Sequence, residues 1–140
     1  MTRFVLDCSV AMAWCFESEV DAYARAVLTS MSRASAVVPP PWPLEVANVL
    51  LVAERRRRIT RADASRFLAL LGELPVSVAE PEGLAGVASL LMLAREPGLP
   101  AYDAAYLHLA RRERMPLASR GRALRGAAAA AGVTLYDPAA

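Results

Sequence analysis

The sequence predicts an α/β fold, a three-layer α/β/α sandwich around a central, mostly parallel sheet, and three observations carry that prediction. Short apolar runs bounded by breakers alternate along the chain with longer segments of helical periodicity. The opening run, "RFVLD", is apolar up to its final acid, as a strand covered on both faces is. Helical segments, singly or in pairs, separate the strands, which is what crossovers between parallel strands require.

In order along the chain, "RFVLD" reads as a buried strand that ends on an acid. "SVAMAWCF" reads as a helix with Ser9 as its cap. Glu19 to Arg33 spaces Ala22, Ala26, Val27 and Met31 on one helical face. "SAVVPP" is a second strand, closed by its prolines. "WPLEVANVLLVAERRRR" is a helix with Pro43 in its first turn and Leu44, Ala47 and Leu51 on a broad buried stripe. Thr60 to Leu74 opens with a Thr-x-x-Asp capping pattern and is another helix. "PVSVAE" is a third strand. "PEGLAGVASLLMLARE" and "AYDAAYLHLARRERM" are helices separated by the breaker "PGLP". "PLAS" is a fourth strand, "RALRGAAAAAG" a helix closing at Gly132, and "VTLY" a last strand. Without a repeat, a linker or a shift in composition, residues 1–140 read as a single domain.

Hydrophobic residues make up 56% of the chain and charged ones 21%, which excludes a disordered protein. The net charge of +2 gives little pull on a polyanion. All 16 basic residues are arginine, so no mechanism that needs a lysine operates here. Cys8 and Cys15 lie in one apolar run with no CxxC spacing and read as small buried hydrophobes. Asp7 interrupts the first apolar run too early for a secretion signal, and no apolar stretch reaches the roughly 20 residues of a membrane span. A cytoplasmic protein without membrane association is the expectation.

Of the 14 acids, three interrupt apolar segments: Asp7, Glu45 in "PPPWPLEVANVLLVA" and Asp103 in "GLPAYDAAYLHLA". A carboxylate beside a core is unfavourable unless something pairs with it. Asp7 ends the first strand, and Glu45 and Asp103 open helices, where the helix dipole favours negative charge. Strand C-termini and the N-termini of following helices face one edge of a parallel sheet, so the three can share one cleft. They would repel one another without a cation, and all-oxygen ligands favour Mg²⁺ or Mn²⁺. His108 is the only histidine, which excludes a His-based zinc site and a Ser-His-Asp triad, and it reads as structural or surface.

Arg55 to Arg58 read as a solvated helix end, with RNA or antitoxin contact as the alternative, and Arg111, Arg112 and Arg114 as another solvated end; both point away from that edge. Arg120 and Arg122 flank it and are candidates for phosphate contact. Trp14, Trp42, Tyr102 and Tyr106 sit in apolar contexts and read as core or interface.

Asp-x-Ser at Asp7 and Ser9, Glu-x-x-Asn at Glu45 and Asn48, and "YDAAYL" around Asp103 occur in one order, with helices between them. With "PLAS" and "ALRGAAAAAGVTL", they make nearly the whole chain resemble the PIN-domain ribonucleases, and in particular the VapC toxins of type II toxin–antitoxin pairs. The resemblance implies an Mg²⁺- or Mn²⁺-dependent endoribonuclease with an α/β/α sandwich fold. It implies Asp7 and Asp103 as metal ligands, and Glu45 as a ligand or the group that orients the attacking water. Ser9 and Asn48 would hold the carboxylates, Ser119 would keep a hydroxyl near the site for a water or a phosphate, and a second ion could join with substrate. It further implies a homodimer, silenced by a VapB-like antitoxin across the active-site groove, with tRNA or rRNA as substrate. One position departs from the pattern. The family has a fourth acid two residues after the Ser or Thr that ends the fourth strand, and here that place falls on Gly121. This motivates an alternative: a weakened PIN protein that binds RNA or antitoxin without efficient cleavage. A phosphotransfer or phosphatase domain, which also ends its first strand on an aspartate, relies on a lysine that this chain lacks.

Overall fold

The computed structural model describes residues 2–139. Four strands, β1 (Thr2–Leu6), β2 (Ala34–Val38), β3 (Val76–Val78) and β4 (Leu117–Ala118), form one sheet in the order β3-β2-β1-β4. Every pairing is parallel. The chain adds strands to one side of β1, then returns to its other side for β4. The sheet therefore has its topological switch point between β1 and β4, where α/β folds place ligand crevices.

The helices are α1 (Cys8–Cys15), α2 (Ala22–Ser30), α3 (Trp42–Arg55), α4 (Arg61–Glu73), α5 (Val87–Arg95), α6 (Ala101–Glu113) and α7 (Arg122–Ala128). Right-handed crossovers put the helices of the β1-to-β3 half on one face and those of the return to β4 on the other. The contacts group them in the same way: α1 touches α2 and α3, while α6 touches α5 and α7. The result is the expected sandwich, with an all-parallel sheet.

β1 is the centre of the core. Phe4, Val5 and Leu6 are fully buried, and the Phe4 ring stacks on Tyr136 with centroids 4.0 Å apart. Tyr136 donates its hydroxyl to the buried Ser30 Oγ at 2.8 Å, and its carbonyl accepts from the Tyr23 hydroxyl at 2.8 Å. These bonds tie the C-terminal segment to α2.

Several local expectations are corrected. The cap of α1 is Asp7, not Ser9: Asp7 is extended and accepts from the Ser9 N–H. The Glu19–Arg33 segment is helical only over Ala22–Ser30, because Asp21 caps it there by accepting from the Ala24 N–H at 2.7 Å. Its buried face is Ala24, Val27 and Ser30. The α3 stripe is also rotated. Trp42, Val46, Leu50 and Ala53 are buried, whereas Leu44 and Leu51 are exposed, as is Ala47. The helix read from Pro81 begins as a 3-10 turn, Gly83–Gly86, before α5. The last helix ends at Ala128, and "VTLY" contributes only one bridge, Leu117 to Leu135. Thr60 does form the expected capping box with Asp63.

The end of α3 bears on the site. The Arg58 N–H reaches back to the Ala53 carbonyl at 2.8 Å and the Arg57 N–H to Glu54 at 3.0 Å. This is a Schellman ending, which needs a left-handed residue, and Arg57 takes that role at φ 57°. Such a conformation in a non-glycine residue costs about 1–2 kcal/mol. It turns the chain so that Arg58 folds back over Phe16.

Candidate active site

Asp7, Glu45 and Asp103 line one cleft of about 430 Å³ at the C-terminal edge of the sheet. Asp7 follows β1, while Glu45 and Asp103 sit in the first turns of α3 and α6. Three segments distant in sequence thus deliver one carboxylate each to the switch point.

Asp7 is buried at 7% exposure, and its Oδ2 accepts two hydroxyl hydrogens, from Ser119 at 2.6 Å and Ser9 at 2.8 Å. These bonds compensate the burial of its charge. Oδ1 keeps only a long contact, 3.4 Å from the Ser9 N–H, and has lone pairs left for another partner. The two serines are themselves fixed. Ser9 Oγ accepts from the Arg120 N–H at 3.1 Å, and Ser119 Oγ from the Gly121 N–H at 2.9 Å. Arg125 donates to the Ser119 carbonyl at 2.9 Å, which holds the β4–α7 turn from behind.

Glu45 and Asp103 are half-buried, and both carboxyls are pushed above the usual carboxylate range. For Glu45 the chief cause is desolvation, with the Asp7 and Asp103 charges adding to it and the Tyr106 hydrogen bond opposing it. For Asp103 it is desolvation, then the charge of Asp7. Like charges brought together raise one another's pKa, and a cation among them reverses that. The Cys8 thiol in the same cleft is pushed up to about 12, mainly by burial and then by Glu45 and Asp7, so it is an inert neutral group.

Tyr106, which the sequence places among core or interface aromatics, bonds into the site. It is fully buried, and its hydroxyl accepts from the Cys8 N–H at 3.1 Å and donates to Glu45 Oε1 at 3.1 Å. One atom thereby links α6, the start of α1 and the carboxylate on α3. Its signal was its place three residues after Asp103, one helical turn along the same face.

The remaining predicted residues divide. Ser9 donates to Asp7, and Ser119, read from the sequence as a hydroxyl for a water or a phosphate, donates to Asp7 as well. Asn48 is exposed and does not line the cleft, whereas Val49 does. Arg120 lines the cleft, with its Nε bonded to Asp21 at 2.9 Å, and Arg122 is exposed outside it. Arg58, read as pointing away, instead lines the cleft. His108 pairs with Glu82, which also binds Arg112 at 2.7 Å.

A side chain at residue 121 would enter this site. Gly121 has an ordinary backbone, φ −70° and ψ 119°, and a Cβ there would lie 3.9 Å from Asp7 Oδ2. The donor set is all oxygen, which suits a hard divalent cation. Among the described residues, however, no group of three or more His, Cys, Asp or Glu side chains is arranged to hold a metal ion. A cation held here would take one or two of these carboxylates directly and water for its remaining ligands, as Mg²⁺ does.

The chain shares its fold with PAE2754 from Pyrobaculum aerophilum, whose crystal structure matches with a TM-score of 0.66 at 24% identity, over 90% of this chain and 86% of that one. No curated protein matches the chain. The model of the PIN domain matches residues 4–130, a span that runs from within β1 through α7 and takes in all three cleft carboxylates. The chain therefore belongs to the PIN domain family, whose members are typically nucleases.

Proposed function

We propose that this protein is an Mg²⁺- or Mn²⁺-dependent endoribonuclease and the toxin of a VapBC-type toxin–antitoxin pair. The observation that carries the metal-dependent nuclease is the convergence of Asp7, Glu45 and Asp103 on one cleft, with the carboxyls of Glu45 and Asp103 raised by burial and mutual charge. The toxin role rests on the Asp-x-Ser, Glu-x-x-Asn and "YDAAYL" patterns. Asp7 Oδ1 and Asp103 would hold the cation. When bound, it would supply an activated water and neutralise charge on the phosphate under attack.

The chain's own residues do the positioning. Ser9 and Ser119 fix Asp7 by occupying Oδ2, which leaves Oδ1 with lone pairs for another partner. Tyr106 occupies Glu45 Oε1, which leaves Oε2 as the oxygen that accepts a hydrogen bond from water. Arg120, steadied by Asp21, places a positive charge on the lip for a substrate phosphate. We further propose a homodimer and a VapB-like antitoxin as partners, in the cytoplasm. The exposed apolar side chains Leu44 and Leu51 on α3, and Leu91 and Met92 on α5, are consistent with protein contacts. No helix among the described residues is long and apolar enough to cross a membrane.

Gly121 supports a second reading, in which cleavage is weak and binding of RNA or antitoxin persists, because the place of a fourth acid is empty of any side chain. One assay separates the two: tRNA and rRNA cleavage in Mn²⁺ by the parent, Asp7→Asn and Gly121→Asp proteins. The nuclease reading predicts cleavage by the parent that Asp7→Asn abolishes. The weakened reading predicts a large gain in Gly121→Asp. Absence of cleavage in all three would reject the nuclease.

A further inference from the structure

The acidic cleft continues beyond its carboxylates. It shares Phe16 and Arg58 with an adjoining groove of about 710 Å³, whose walls include Trp14, Ile59 and Phe67. We infer that Arg58, laid over Phe16, forms a nucleotide subsite in which the guanidinium stacks an unpaired RNA base and its N–H edge meets a neighbouring phosphate. This inference rests on the reading of the protein as an RNA-cleaving enzyme, and it names where a strand leaves the carboxylates.

The geometry supports a built platform. The Arg58 Cζ lies over the Phe16 ring, 4.3 Å from its centroid, in a cation–π contact. Phe16 is buried at 6% exposure, which fixes the ring beneath it, while the Arg58 side chain is 45% exposed. An exposed planar cation on an aromatic support is a surface on which single-stranded RNA bases stack, whatever their sequence.

Charge points the same way. Asp7, Glu19, Glu45 and Asp103 line the cleft, and they repel a polyanion along its whole length unless cations intervene. Two guanidinium groups line it as well. Arg120, held by Asp21 at 2.9 Å, serves the lip beside Ser9, whereas Arg58, which approaches Glu19 only at 4.0 Å, also lines the adjoining groove. Arg66 in the adjoining groove is paired with Asp63. Arg58 is thus the cation best placed to hold a phosphate on the side of the cleft that opens into the groove. The groove's aromatic and aliphatic wall then suits bases more than an acidic protein segment, which would use the charge and leave the plane uncovered.

The test measures anisotropy of a fluorescein-labelled single-stranded oligoribonucleotide bound to Asp7→Asn protein in Mg²⁺, a background that does not cleave. Arg58→Ala in that background should weaken binding about tenfold. The slope of log K against log salt should fall by about 0.7, as expected for one lost phosphate contact on a single strand. Arg58→Lys should restore the slope but only part of the affinity, because it keeps the charge and loses the plane. In the cleaving protein, Arg58→Ala should raise KM more than it lowers kcat. Unchanged affinity and slope, in a variant whose circular dichroism matches the parent, would overturn the subsite even if the parent cleaves RNA. Loss of binding to a polyglutamate peptide with RNA binding intact would also overturn it, in favour of a protein partner. Failure of the parent both to bind and to cleave RNA would remove the function reading together with the subsite.

Discussion

Gly121→Asp adds a fourth carboxylate beside Asp7, and the structure sets the magnitude of the effect. The backbone at 121 is one that any L-residue adopts, and the new Cβ meets Ser119 Oγ at 3.3 Å and Leu124 Cβ at 3.6 Å. The fit is tight but open to a small shift of the serine hydroxyl. Residue 121 is also the N-cap of α7 and makes no side-chain cap bond, so aspartate there gains a few tenths of a kcal/mol, about 0.3, over glycine. Against this stands repulsion from Asp7. Two unit charges about 4 Å apart interact by about 4 kcal/mol at an effective dielectric of 20 and about 1 kcal/mol in water. The metal-free variant should be less stable than the parent by about 1–3 kcal/mol. For a chain of this size that lowers Tm by roughly 3–10 °C. A divalent cation converts the repulsion into ligation. Mn²⁺ at about 100 times Kd should then restore about 2.7 kcal/mol, or roughly 8 °C. The assay is calorimetric melting in EDTA and in Mn²⁺, with Gly121→Ala as the neutral control carrying the same Cβ. Equal Tm changes for Gly121→Asp in both conditions would refute the reasoning, because the effect would then be steric and unrelated to a cation.

Tyr106→Phe removes the hydroxyl shared by the Cys8 N–H and Glu45 and leaves a buried donor without a partner. It should cost about 1–3 kcal/mol in urea denaturation and reduce Mn²⁺-dependent cleavage more than RNA binding; an unchanged midpoint would contradict this. Ser119→Ala should destabilise by about 1–3 kcal/mol and weaken Mn²⁺ binding in calorimetric titration, since Ser119 Oγ bridges Asp7 and the Gly121 N–H. The pH dependence of the metal-free protein follows from the raised carboxyls of Glu45 and Asp103. The folded state holds protons that the unfolded state releases, so stability falls as pH rises from their ordinary values of 4.5 and 3.8 through the raised folded ones. Asp21, lowered by the Ala24 N–H it caps and by Arg120, works in the opposite direction: its contribution is lost as pH falls through its folded pKa. Melts in EDTA between about pH 4 and pH 8 should show the decline flattened in Glu45→Gln and in Asp103→Asn, and in the parent by Mn²⁺. Identical profiles for all three proteins in EDTA would show that the two carboxyls are not strained by their surroundings.

The carboxylates were legible because a charge inside an apolar run stands out against its neighbours. The alternation of short and long segments likewise exposed the parallel sheet. What stayed hidden depended on partners distant in sequence. Tyr106 has the apolar context of a core aromatic, and beyond its spacing from Asp103 nothing marks it until Cys8 and Glu45 close on its hydroxyl. The α3 stripe was misplaced because that helix is apolar on several sides. Leu44 and Leu51 satisfy the helical period as well as Val46 and Leu50 do, and only the position of the sheet selects between them. Arg58 was misdirected because a left-handed arginine at 57 has no glycine to announce it. "VTLY" has strand composition, but its two backbone bonds to Leu117 give one bridge instead of a ladder.

The central claim is that Asp7, Glu45 and Asp103 form one divalent-cation site. Its most direct test is anomalous diffraction at the manganese edge from crystals soaked in MnCl₂, with Asp7→Asn crystals treated identically. The account predicts a manganese peak in the cleft, within coordination distance of Asp7 and Asp103, that vanishes in Asp7→Asn. A peak that persists in the variant, or manganese bound only away from these carboxylates, would contradict it.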